Sequence, residues 1–164
     1  MVLPDELHKR VMELAAFHMA AARVHENWGF GRLVTGGGGV KAFFSGEPGT
    51  GKTLAAEVVA YAVGLPLLRV DLSRIVSKWV GETEKHLDTV FTEAERSHYV
   101  LFLDECDALG GKRGEVKSGS DKFANLETAY LLQRMESFGG LAILASNLKD
   151  QLDDALLRRF QVVL

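Results

Sequence analysis

The run Gly46-Glu47-Pro48-Gly49-Thr50-Gly51-Lys52-Thr53, followed by Leu54, satisfies G-x-x-x-x-G-K-[ST] at every fixed position. Glycines in such a loop let successive backbone N–H groups converge on an anion, and a helix starting at the lysine adds the positive end of its dipole. Lys52 then reaches the outer phosphates of a nucleotide, while Thr53 offers its hydroxyl to Mg²⁺. A tight turn would account for the glycines but not for a Lys-Thr pair at a helix start. The more glycine-rich tract Gly36–Gly39 precedes an apolar run instead of following one and ends without a lysine, so it reads as a flexible connection.

A bound nucleotide needs a metal-binding acid and a base for water. Val100-Leu101-Phe102-Leu103-Asp104-Glu105 supplies both at the end of an apolar stretch. Burying the four apolar residues in a strand delivers Asp104 to the carboxyl edge of a sheet, where it can hold a water of Mg²⁺. Glu105 can then polarise the attacking water as general base. Taken alone, the pair would also suit an ordinary acidic turn. Ser146-Asn147 follows a second apolar run, Leu141–Ala145, so the Asn147 amide is expected at the same edge, able to orient water or touch a phosphate. Arg158-Arg159 closes a short predicted helix, whose dipole the pair can simply cap. Cys106, with no base near it in sequence, reads as inert packing. The five histidines have no companion at metal-ligand spacing, so Mg²⁺ is the only metal expected.

These residues need elements to hold them. Leu7, Val11, Leu14, Phe17, His18, Ala21 and Val24 recur at helical spacing and predict one amphipathic helix over about Asp5–Asn27. Strands are predicted at Val40–Ser45, Leu67–Asp71, Tyr99–Leu103, Leu141–Ala145 and Gln161–Leu164, the last cut off by the chain end. Helices are predicted at Thr53–Val63, Glu82–Ser97, Asp121–Ser137 and Asp153–Arg159, with loops at Ser77–Gly81 and Gly110–Ser120. Alternating strands and helices imply an α/β sandwich on a mostly parallel sheet, with strands too apolar for one wet face. Residues 1–39 form the leading helix and linker, and residues 40–164 the nucleotide-binding unit.

The chain has 164 residues, 47% hydrophobic and 25% charged, which suits a single globular domain with a real core. Nineteen basic against 22 acidic residues leave a net charge of −3, a poor match for wrapping nucleic acid. No run approaches the ~20 apolar residues that span a bilayer, and the first residues do not resemble a signal peptide. A single cysteine fits a reducing compartment, and a cytoplasmic protein is expected.

In this order, GEPGTGKT, SKWVGETE, VLFLDE, SN and DALLRRF resemble the AAA+ ATPases, in the AAA subgroup with proteasomal ATPases, membrane-bound AAA proteases and microtubule-severing enzymes. LPDELHKRV, GETEKHLDTVF and LLQRMESFGG are similar to bacterial AAA cassettes, including those that accompany contractile injection systems. The resemblance covers about Leu3–Leu164. It implies a P-loop NTPase built as a three-layer sandwich on a five-stranded parallel sheet of order 5-1-4-3-2, a helical lid after the chain end, and a ring, usually a hexamer. It implies ATP and Mg²⁺ at Gly46–Leu54 with Asp104, a general base at Glu105, a sensor at Asn147, and arginine fingers at Arg158 and Arg159 acting on the neighbouring subunit. Lys78-Trp79-Val80 matches the pore loop that grips a polypeptide in the ring's channel. Gly111–Asp121 falls where a second pore loop is found, and Trp28, Gly29 and Phe30 fall where the family lines the adenine side, with core packing an equal alternative for them. Two departures are the compact RRF segment, without the usual Pro-Gly insertion, and Glu47 in place of a proline. The implied activity is an ATP-driven motor that remodels protein substrates; the alternative is an ATP-dependent assembly switch or loader that rings onto a partner without threading it. A metabolic kinase fits less well, because Glu105, Asn147 and the arginines serve water attack and subunit coupling.

Overall fold

Short apolar runs bounded by glycine, proline and acidic residues fold into five strands: β1 (Lys41–Ser45), β2 (Leu67–Asp71), β3 (Val100–Asp104), β4 (Ala142–Ser146) and β5 (Val162–Val163). The helices between them are α1 (Asp5–Asn27), α2 (Lys52–Val63), α3 (Leu72–Lys78), α4 (Thr83–Arg96) and α5 (Gly119–Ser137). The computed structural model describes residues 5–27, 38–78, 82–109, 119–147 and 158–164. All strand pairings are parallel, in the order β5-β1-β4-β3-β2, as the resemblance implies.

Alternate residues of each strand feed two separate cores, because side chains leave a strand on opposite faces in turn. Phe43, Leu101, Leu103 and Leu144 meet Leu72 of α3, Leu87 and Phe91 of α4, and Leu131 and Met135 of α5. Ala42, Phe44, Phe102 and Ile143 meet Val11 and Leu14 of α1 and Ala55, Ala56, Val59 and Ala60 of α2. The small side chains along α2 let that helix lie close to the sheet and fix where its first turn points. The result is three layers, with α1 and α2 on one face and α3, α4 and α5 on the other. Among the described residues no helix is long and apolar enough to cross a membrane.

Several expectations are corrected. Phe17, placed on the apolar face of α1, is 50% exposed, and Ala15 is buried instead. No element is expected over Leu72–Val76 and a loop from Ser77, yet Leu72–Lys78 forms α3, nucleated where Asp71 accepts the Ser73 N–H at 3.0 Å. A one-turn 3-10 helix at Cys106–Leu109 was not foreseen. β2 is only half-buried, with Arg69 exposed, since an edge strand has one neighbour. Lys41 sits buried within an otherwise apolar strand; its ammonium donates to Gly39 O at 2.8 Å and Phe138 O at 3.0 Å, and burial lowers its pKa. The body of the helix expected at Asp153–Arg159 and most of the Gly110–Ser120 loop lie outside the described residues.

Phe102 on central β3 is fully buried, whereas Tyr61 on the outer face of α2 is 90% exposed. In urea denaturation Phe102→Ala should cost about 3–5 kcal/mol, and Tyr61→Ala less than about 0.5 kcal/mol.

Candidate nucleotide-binding site

β1 ends at Ser45, and the glycine-rich loop begins there, tied to the neighbouring strand where Gly46 N–H donates to Ser146 O at 3.2 Å. Gly49 at φ 84° and Gly51 at φ 95° take left-handed conformations open to glycine and costly for most residues. Thr50 folds the loop inward, its hydroxyl donating to Glu47 O at 2.9 Å. Helix α2 starts at Lys52 behind Gly51, which offers no side-chain cap, and its first turn holds no acidic residue. Its positive end is thus open to an anion supplied from outside. Thr53 and Leu54 lie in that first turn.

The Lys52 ammonium donates to Gly46 O at 2.6 Å, Glu47 O at 3.1 Å and Asn147 Oδ1 at 2.8 Å. The loop, its lysine and the amide after β4 therefore converge, although Lys52 and Asn147 are 95 residues apart in sequence. Three oxygens hold the charge in place at the loop's mouth, where phosphate oxygens could replace them.

The acidic pair is on the next strand along the sheet. Asp104 Oδ2 pairs with Arg69 Nη2 at 2.7 Å, and Asp104 Oδ1 accepts the Glu105 N–H at 3.0 Å. Glu105 is exposed and holds φ 56°, a left-handed conformation costing a residue with a Cβ about 1–2 kcal/mol. This strain turns the chain sharply out of β3 and leaves the Glu105 carboxylate in solvent. Asp71, the register partner of Asp104, accepts from Ser73 and Arg74, and the Ser73 hydroxyl chiefly holds its carboxyl below the usual range. Asp107 takes the Asn147 N–H at 2.9 Å on Oδ2 and the Ser146 hydroxyl on Oδ1.

Among the described residues no three of His, Cys, Asp and Glu form a metal cage. Mg²⁺ needs none: it keeps several waters and takes one or two protein oxygens beside phosphate. Thr53 and Asp104 supply that donor type, and the open helix end fits the polyphosphate.

Arg158 and Arg159 are exposed in a turn before β5, and Arg159 Nη1 pairs with Glu136 Oε1 of α5 at 2.5 Å. Gln161 N–H donates to Lys41 O at 3.0 Å, which sets this turn at the amino end of β1. The glycine-rich loop leaves the other end, four residues or about 13 Å along the strand. The arginines and the loop thus occupy opposite edges of one sheet. Lys78 is the last residue of α3, whereas Trp79 and Val80, Trp28–Phe30 and Gly111–Ser118 lie outside the described residues. Sequence reading missed two participants at the site. Arg69 stands out only as a charge in an apolar strand, and nothing in the sequence ties Asp107 to a partner 40 residues on.

A family model described as "ATPase family associated with various cellular activities (AAA)" matches residues 42–164. The chain is similar to the AAA family ATPase y4kL of Sinorhizobium fredii, 40% identical over 76% of this chain and 38% of the relative. It is also similar to the proteasome-activating nucleotidase of Methanococcus maripaludis, 42% identical over 69% of this chain and 29% of the relative. Among solved structures, the FIGL-1 AAA domain in complex with ADP matches at a TM-score of 0.61 and 29% identity, over 76% of this chain and 41% of that one. The chain spans less than two-fifths of the length of these two curated relatives.

Cys106 is 7% exposed, and burial, reinforced by the charges of Asp107 and Asp104, pushes its thiol up to about 12. At pH 8 only about one thiol in 10⁴ is then ionised, against about one in ten at the ordinary value. Alkylation by iodoacetamide at pH 8 should be slower by ~10²-fold or more in the native chain than in urea. Because the native state holds the proton more tightly, stability should fall as pH rises from about 9 towards 12.

Proposed function

Because the chain belongs to the AAA family of ATPases, we propose that it binds ATP with Mg²⁺ and hydrolyses it to power remodelling of protein substrates. The observation that carries this reading is the convergence of the Lys52 ammonium, the phosphate-loop carbonyls and the Asn147 amide beside the strand that ends in Asp104-Glu105. Lys52 exchanges its carbonyl partners for phosphate oxygens, and the Gly49–Thr53 backbone and the start of α2 complete the cradle. Thr53 and Asp104 would hold Mg²⁺, which would supply positive charge against the polyphosphate. Glu105 takes the proton of the attacking water, and Asn147 orients that water or the terminal phosphate.

Arg158 and Arg159 act on a neighbouring subunit's nucleotide. Their place on the far edge from their own loop supports action across a boundary, with a ring, in the usual case a hexamer, as the assembly. Residues 1–39 form a leading helix and linker, and residues 40–164 the large subdomain of a longer cassette, as the partial span of the relatives supports. Lys78, Trp79 and Val80 grip an unfolded polypeptide in the channel; the similarity to a proteasome-activating nucleotidase supports a protein substrate. A cytoplasmic setting suits the single buried Cys106.

Lys52→Ala should lower ATP affinity beyond calorimetric detection, while Glu105→Gln should keep the affinity and stop turnover, since a base acts only in the transition state. Tight ATP binding by Lys52→Ala would refute the assignment. The 164-residue chain should sediment as a monomer and hydrolyse ATP ~10³-fold or more below a ring, as it lacks a neighbour's arginine. In a longer chain that includes the lid, Trp79→Ala should keep ATPase activity within a few-fold and lose substrate translocation; retained translocation would favour the assembly switch.

A further inference from the structure

Asp107 lies two residues beyond the acidic pair and has no place in the chemistry above, yet it is the group on which the Asn147 backbone rests. Its two carboxylate oxygens take donors from consecutive residues at the end of β4, the Ser146 hydroxyl and the Asn147 N–H at 2.9 Å. Asn147 in turn presents Oδ1 to the Lys52 ammonium at 2.8 Å. The 3-10 turn carrying Asp107 continues directly from Asp104-Glu105, so a single short segment fixes both the acid edge of β3 and the amide edge of β4. Two bonds from one rigid carboxylate remove the freedom of the strand end to swing.

We propose that Asp107 is the positioning residue for Asn147: it aims the amide at the terminal phosphate and thereby sets the preference for a nucleoside triphosphate over a diphosphate. The inference rests on the nucleotide-binding reading of this site. The geometry also separates shape from charge. An asparagine at 107 can accept the Asn147 N–H on its oxygen and donate its amide to the Ser146 hydroxyl, which rotates to accept. It keeps both bonds and loses the charge, whereas alanine loses both.

The test is calorimetric binding of ATPγS and of ADP, each with Mg²⁺, to the 164-residue chain. The ratio of the two affinities is the readout, because a general loss of loop structure moves both alike. Asn147→Ala should cut the ATPγS-over-ADP preference by ~10-fold, the scale of a hydrogen bond to a charged group. Asp107→Ala should cut it by a similar factor, the double variant by no more than either alone, and Asp107→Asn should restore most of it. Equal losses for both nucleotides in Asp107→Ala, additive losses in the double variant, or an Asp107→Asn as impaired as alanine would each overturn the inference while leaving the binding site intact. Should Asp107→Ala not fold, Ser146→Ala and Asp107→Asn carry the same test, with a partial loss of preference expected from the first and little from the second; unchanged preference in Ser146→Ala together with full loss in Asp107→Asn overturns positioning. If the unaltered chain binds neither nucleotide, the nucleotide reading and the inference fall together.

Discussion

Parallelism of the five strands is the constraint on which the rest depends. In a parallel sheet every strand ends at the same edge, so whatever follows β1, β2, β3 and β4 is gathered there without any long-range search by the loops. The register makes this concrete: Ser45 stands opposite Ser146, and Asp71 opposite Asp104. A phosphate loop, two carboxylates and an amide from segments spread over a hundred residues are brought together because both sheet faces are covered by helices. Burying those faces supplies the free energy that holds the polar edge open to solvent.

At that edge each charge is held by partners a ligand could displace. Lys52 rests on two carbonyls and an amide oxygen, and Asp104 on Arg69 and the N–H of Glu105. Partly exposed pairs of this kind contribute little to stability, so replacing them costs little, and the side chains are already near the geometry they need. Among the described non-glycine residues only His98 and Glu105 hold a left-handed backbone, and Glu105, the one at this edge, is the residue proposed to activate water. Asp107 differs from these: it is tied to backbone and hydroxyl donors of the adjacent strand and keeps the edge in shape.

The other edge of the sheet has a different character. Lys41 is buried against the carbonyls of Gly39 and Phe138, and Arg159 pairs with Glu136 at the end of α5. Phe160 anchors this turn, its ring 5.4 Å from that of Phe43 in the core, which leaves the two arginines facing solvent. This cationic pair is exposed at the end of the sheet away from the glycine-rich loop.

How much was legible in the sequence follows from which interactions are local. The glycine-loop motif, the helix over Asp5–Asn27 and the strands ending in Asp104 and Ser146 rest on spacing and apolar runs, which backbone sterics and burial translate directly into structure. What tertiary structure alone decided rests on contacts between distant segments. Arg69 found Asp104 because β2 and β3 pair in that register, and Asp107 found Asn147 because a 3-10 turn brings its carboxylate under β4. Phe17 kept its helical spacing but lost its burial, because the sheet and α2 cover only part of α1. Residue type and spacing determine which groups a strand or helix can present. Which partner receives them depends on the register and packing of the whole sheet.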